Sequence, residues 1–275
     1  MLRTLIALAA LLAAGCVSDI VVDGAGPRLL AAHAHNDYIH ARPLLDAVDQ
    51  GFRSVEADVF AVDGALWVGH TLLEVRPGRT LRELYLEPLR ERLQARGSVL
   101  ERSLADDGGF FLLVDFKQSG EACLALLLEE LRPLEPYLTR RVAGSVVPGE
   151  LTVIVSGARP VEALRQLEPA LVFLDARPAE LDRVDRALAP LVSASWRDRF
   201  EWRGEGDPSA EDLARLRADA AAARAGGQVL RYWALPHDER VWRVALDEGV
   251  TLLQADDLER LARFLEPVRP ARRAR

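Results

Sequence analysis

Cysteine is scarce in this chain, with only Cys16 and Cys123 among 275 residues. The first closes an apolar N-terminal leader, so a processed chain has Cys123 alone and no partner for an internal disulfide. The fold therefore has to be held by its core. A basic stripe is also missing, and the net charge of −7 argues against nucleic acid as a partner. The leader's apolar run, Thr4 to Ala14, is too short to cross a bilayer and stay there. No internal repeat or low-complexity tract interrupts the chain, apart from an alanine-rich helical stretch and a basic tail at 268–275. Histidine is sparse as well: of five, only His237 follows His70, too few for a multinuclear, nitrogen-rich metal centre.

Apolar residues are plentiful. At 49% of the chain, spread over about 250 residues after processing, they suffice for one full α/β barrel without a second domain. The leader itself, Met1-Leu-Arg3 followed by the apolar run and Gly15-Cys16, reads as a secretory signal. Leu12-Ala-Ala-Gly-Cys16 resembles the lipobox of bacterial lipoproteins. That resemblance implies cleavage after residue 15, lipidation of Cys16 and a membrane anchor on the periplasmic or outer-membrane side of a bacterium. Val17 in the following position points to the outer membrane. The alternative is an ordinary cleaved signal and secretion. The expected organisation is a signal peptide ending at the lipidated cysteine (1–16), a single barrel domain (28–267) and the tail.

Short apolar runs rich in β-branched residues recur at 28–33, 54–60, 110–117, 151–156, 171–175, 191–195, 229–233 and 251–254. Helical patterns fall between them at 43–50, 120–138, 160–167, 210–225, 238–248 and 257–265. Regular alternation of this kind implies a parallel sheet, and eight such strands imply closure into a (β/α)₈ TIM barrel. Asp63-Gly64, flanked by apolar residues in 61–68, predicts a hairpin after the second strand that returns His70 to the barrel mouth. Residues 74–107 read as a helical insertion running into a loop at Asp106-Asp-Gly-Gly109.

The chemistry is concentrated between His33 and His70. In Ser54-Val-Glu-Ala-Asp-Val-Phe60 the alternation sends Glu56 and Asp58 to one face and the apolar residues to the other. Two such carboxylates repel by about 4 kcal/mol at ~4 Å and an effective dielectric near 20. A divalent cation is the simplest remedy, and oxygen-only ligands favour Mg²⁺, Ca²⁺ or Mn²⁺ over zinc. Asp115 ends another apolar strand and offers a third carboxylate, with Lys117 on its face. Histidine titrates near neutrality, so two imidazoles beside such a centre suit general acid–base work.

His33, Glu56-x-Asp58, His70 and Asp115-x-Lys117 together resemble the signature of the phospholipase-C-like phosphodiesterases, which include the glycerophosphodiester phosphodiesterases and the sphingomyelinase-D-like toxins. His33-Ala-His-Asn-Asp-Tyr38, Arg42-Pro-Leu44, Gly69-His70, Leu84-Tyr85, Tyr232-Trp233 and Asp256-Asp-Leu258 resemble more closely the family named for altered inheritance of mitochondria protein 6. The resemblance implies a phosphodiesterase barrel in which Glu56, Asp58 and Asp115 bind one divalent cation, Mg²⁺ or Ca²⁺. His33 and His70 are then the acid and base, and Lys117 and Asn36 contact the substrate phosphate. Read from the residues themselves, His35 is either a further phosphate contact or a group supporting those that touch it, and Trp233 at its strand end either lines the substrate mouth or packs. A small-molecule or lipid phosphodiester is the implied partner, with no protein partner. Glycerophosphodiesterases usually carry arginine after the first histidine and often aspartate after the second. Here Ala34 and Thr71 stand in those places, so a glycerol-specific substrate does not follow. Two other readings compete: an amidohydrolase-like hydrolase using His33-x-His35 as a metal pair, and a lipid-anchored barrel that binds a phosphorylated ligand without turnover.

Overall fold

A computed structural model describes residues 32–100 and 109–265. The expected leader with Cys16, the start of the first strand at 28–31 and the basic tail lie outside the described residues. In chain order the strands are β1 (Ala32–Ala34), β2 (Ser54–Val62), β3 (Ala65–Val68), β4 (Phe110–Phe116), β5 (Arg140–Val142), β6 (Ser145–Val147), β7 (Leu151–Gly157), β8 (Val172–Ala176), β9 (Leu191–Ser195), β10 (Val229–Trp233) and β11 (Leu253–Ala255). Eight of them pair in the order β10-β9-β8-β7-β4-β2-β1-β11, every neighbour parallel. The seam is drawn together where Arg231 pairs with Leu252 and the Leu252 N–H donates to the Leu230 carbonyl at 3.0 Å. The result is the expected (β/α)₈ barrel, nearly closed. β3 returns antiparallel along β2, with Asp63 and Gly64 supplying the two positive φ angles of 48° and 79° that the tight turn requires.

Alternation along each strand divides the barrel into an outer and an inner face. Outward residues such as Val55, Ala57, Leu112, Val114, Val153 and Val155 join the large core under the helices. The inner face is split along the barrel axis. Leu113, Ile154, Phe173, Leu191, Val229 and Leu252 form a separate apolar plug, each side chain contributing about 1.5–3 kcal/mol by its removal from water. One step further along these strands, toward their C-terminal ends, stand Asp115, Ser156, Asp175, Ser193, Arg231 and Gln254. The interior is therefore dry at one end and polar at the other, and the polar end is the one where barrels of this kind place their sites.

The helices that cover the wall and matter for the site are α1 (Leu45–Asp49), α2 (Glu87–Arg96) and α3 (Gly120–Leu131). The helical pattern expected over 120–138 breaks at Leu131. Pro133 and Pro136 lack the N–H that an α-helix needs, and the segment Arg132–Tyr137 tightens into 3₁₀ turns. The β5–β6 hairpin has no counterpart among the expected elements, because its turn uses Ala143 and Gly144 at φ 49° and 75° rather than the usual Asn-Gly.

Candidate active site

β2 brings Glu56 and Asp58 to the inner face, and the in-register pairing of Asp58 with Asp115 on β4 adds the third carboxylate. One oxygen from each lies within 4.8 Å of the others. Asp58 is wholly buried. Its Oδ2 receives Tyr38 Oη–H at 2.8 Å, lies 2.9 Å from His70 Nδ1 and is 2.7 Å from Lys117 Nζ. Its Oδ1 is buried without a hydrogen-bond partner. An orphaned carboxylate oxygen inside an all-oxygen cluster is what a hard cation would satisfy, so these residues fit a divalent ion. Burial and the Glu56 charge push the Asp115 carboxyl up to about 6, with Lys117 opposing the shift. For Lys117, burial acts downward, but Asp58 and Asp115 outweigh it and hold the ammonium above its ordinary value.

Behind the triad lies a buried ion pair absent from the sequence-based expectations. Arg231 reaches across from β10, and its Nη1 stands 2.9 Å from Glu56 Oε2 and 2.9 Å from His33 Nε2. Burial alone would raise the Glu56 carboxyl, yet the Arg231 guanidinium and His33 hold it well below the usual carboxylate range. The signal for Arg231 was a lone charge inside the buried apolar run Val229–Trp233.

His33 is wholly enclosed. Its Nδ1 is 2.6 Å from Ser54 Oγ and its Nε2 is 3.0 Å from Glu56 Oε2. Burial first, and then Arg231, lower its pKa to about 4, which leaves the ring neutral near pH 7. His35 lies one step nearer the mouth, partly exposed, with Nδ1 2.7 Å from Asp256 Oδ1. The Asp256 carboxyl is raised by burial, but His35, with smaller contributions from His237 and His40, brings it below its ordinary value. His70 is 62% exposed and is steadied by its backbone N–H donating to Glu74 Oε2 at 2.9 Å. His35 and His70 thus share one design, with Nδ1 on a carboxylate, and His35 Nδ1 also lies 3.0 Å from the Asn36 amide nitrogen. His33 and His35 serve different partners, and among the described residues the grouping with metal-ligand spacing is the carboxylate triad, which does not favour a His33-x-His35 metal pair.

Asn36 turns the chain out of β1 at φ 47°, a left-handed conformation that asparagine tolerates better than most residues. The turn places Tyr38 Oη 2.9 Å from Asn36 Oδ1, linking the amide to the Asp58 cluster. Trp233 ends β10 and is 39% exposed. Its neighbours Tyr232 and Trp196 are packing residues, edge-to-face at 5.6 Å.

A parallel eight-stranded barrel with an acidic triad and two histidines at the C-terminal ends of its strands is of the phospholipase-C-like phosphodiesterase type. The family follows from comparison: the AIM6-like phosphodiesterase domain model matches residues 27–175, just over half of the chain, and the chain belongs to that family. It is 29% identical to the altered inheritance of mitochondria protein 6 homolog of Arthroderma benhamiae, over 83% of this chain and 82% of that protein. It is also 29% identical to altered inheritance of mitochondria protein 6 of Eremothecium gossypii, over 86% and 70%. A crystal structure of a glycerophosphodiester phosphodiesterase from Parabacteroides distasonis superposes with a TM-score of 0.54 at 12% identity, covering 87% of this chain and 98% of that one. At that identity the likeness establishes the fold. These curated relatives are fungal, which overturns the expected bacterial lipoprotein on the periplasmic or outer-membrane side. A short basic start and an apolar run record hydrophobicity, which several targeting routes read, and a five-residue lipobox resemblance does not choose among them.

Proposed function

We propose that the chain is a divalent-cation-dependent phosphoric diester hydrolase, acting on a glycerophosphodiester, a lysophospholipid or a related diester, with His35 and His70 as the acid–base pair. The observation that supports this most is the matched setting of the two histidines, each with Nδ1 on a carboxylate: His35 on Asp256 at 2.7 Å and His70 on the triad's Asp58 at 2.9 Å. Glu56, Asp58 and Asp115 would hold the cation, Mg²⁺ or Ca²⁺. When bound, the ion supplies neutralisation of phosphate charge as it redistributes in the transition state.

The protein's own groups do the rest. Lys117, 22% exposed beside Asp58, offers an ammonium to a phosphate oxygen, and Asn36 offers its amide. With Nδ1 of each ring on Asp256 or Asp58, Nε2 is the nitrogen available for proton transfer, carrying a lone pair in the base and an N–H in the acid. One imidazole takes the proton of the attacking water, or of a neighbouring substrate hydroxyl, as the new P–O bond forms. The other, protonated, delivers its proton to the departing alcohol oxygen as the old P–O bond breaks. His33 is assigned a positioning role in place of the expected catalytic one, because both ring nitrogens are committed to Ser54, Glu56 and Arg231 away from solvent. Trp233 lines the rim.

The test is hydrolysis of a panel of glycerophosphodiesters, lysophospholipids and a chromogenic diester with Mg²⁺, Ca²⁺, Mn²⁺ or chelator, using wild type, Asp58→Asn, His35→Gln and His70→Gln. Turnover that chelator abolishes and all three variants lose is the expected result. Chelator-resistant turnover, or full activity in His35→Gln, overturns the assignment.

A further inference from the structure

On the wall next to the triad, a second polar network ends in an arginine that the hydrolytic scheme does not use. Asp115 pairs in register with Ser156 on β7, and Ser156 Oγ donates to Asp175 Oδ2 on β8 at 2.7 Å. Ser193 Oγ, from β9, lies 2.6 Å from Asp175 Oδ1. Arg177 follows Asp175 by two residues at the mouth end of β8, and its Nη1 donates to Asp175 Oδ2 at 2.6 Å and to Ser193 Oγ at 3.1 Å.

This network is lopsided. The Asp175 side chain is 1% exposed, whereas that of Arg177 is 28% exposed. Nη1 carries nearly all the hydrogen bonds; Nη2 makes a single long contact of 3.4 Å to Ser156 Oγ. Neighbouring Arg159 is spent differently, with both terminal nitrogens on Glu180, at 2.8 and 3.0 Å. A buried carboxylate held by two hydroxyls contributes little net stability compared with apolar packing. Here it fixes Nη1 of a guanidinium and leaves Nη2 with only the one long contact, and planar forks of that kind recognise carboxylates and phosphates. Asp115 and Asp175 are two strands apart, about 10 Å at ordinary strand spacing.

We propose that Arg177 is a specificity-determining residue that receives a second anionic group, a carboxylate or phosphate, on the alcohol portion of the diester. The substrate class this names is a phosphodiester carrying a further negative charge beyond the scissile phosphate. The inference rests on the phosphodiesterase reading given above.

Glycerophosphoserine and glycerophosphoethanolamine differ by one carboxylate and serve as the matched pair. Wild type should favour the serine diester in kcat/KM by about tenfold, the value of one good charge-assisted hydrogen bond. That ratio should fall to about one in Arg177→Gln and to an intermediate value in Arg177→Lys. The double variant Asp175→Asn/Arg177→Gln, which leaves no uncompensated buried charge, should match Arg177→Gln. Equal wild-type rates on the two diesters, or a proportional loss on both in Arg177→Gln, would overturn the proposal. Calorimetric binding of O-phosphoserine against phosphoethanolamine to the full chain separates the two readings. If neither these two diesters nor any other member of the panel is turned over, the hydrolase reading fails; equal affinity for the two phosphomonoesters removes the Arg177 assignment whether or not turnover is seen.

Discussion

His33 and His35 differ by two residues and share a strand face, yet they meet different physics. His33 lies among Ser54, Glu56 and Arg231 with no solvent, whereas His35 reaches the mouth and a carboxylate. His35→Gln should lower turnover by about 10²–10⁴-fold, the usual contribution of a general acid or base, with an unchanged melting temperature. His33→Gln should lower the melting temperature as well, because it disturbs the Arg231–Glu56 pair. Circular dichroism melts beside kinetics check both. Asp37 offers a cleaner titration. It is wholly buried, accepts the Leu44 N–H, and burial raises its pKa from 3.8 to about 7 against that hydrogen bond. The folded state then binds more protons than the unfolded chain between those two values, so stability is greatest below the lower one and falls as pH rises toward 7. Asp37→Asn keeps an acceptor for Leu44 and cannot ionise. Its unfolding free energy, measured by urea titration across that window, should be flatter with pH than that of wild type.

Whole elements carry the next constraints. β2 works because its alternation serves two solvents at once, apolar toward the helices and anionic toward the barrel interior. β7 ends at Gly157, φ 69°, where an added Cβ would collide with Asp115 Oδ1 and the Phe116 carbonyl. Gly157→Ala should therefore displace a triad carboxylate and weaken cation binding, read by isothermal titration with Mg²⁺ or Ca²⁺; unchanged affinity would show that Asp115 is not a ligand. On β10, Arg231→Met strands the Glu56 charge next to His33. Breaking a buried pair from one side costs about 3–5 kcal/mol, so this variant should lose a corresponding part of its denaturant stability.

For the molecule as a whole, the barrel is continuous on one side of β10 and held by little pairing between β10 and β11. Arg231, on one margin of that seam, extends to Glu56 on β2, so the polar interior helps to draw the wall together. A cation seated on Glu56, Asp58 and Asp115 would tie β2 to β4 and bind only the folded state. At about 100 times its dissociation constant such an ion adds about 2.7 kcal/mol, or roughly 5–10 °C in melting temperature for a chain of this size. Asp58→Asn should abolish most of that rise. A melting temperature indifferent to Mg²⁺, Ca²⁺ and Mn²⁺ would remove the ion from the account.

Much of the architecture was legible in the amino-acid order. Apolar runs at strand spacing with helical patterns between them, and Asp63-Gly64 at a hairpin, depend on local periodicity and turn chemistry, which a linear chain displays. The carboxylate triad was legible for the same reason, since alternation within β2 and β4 decides which face each side chain takes. Three features needed the closed barrel. Arg231 meets Glu56 across strands 175 positions apart in the chain, a pairing that no local pattern encodes. His35 finds Asp256 from the other end of the sequence, and that contact separates it from His33. Arg177 acquires its orientation from Ser156, Asp175 and Ser193 on three strands. Periodicity specifies which face a residue takes; burial, partner and exposure arise only when distant strands close the ring.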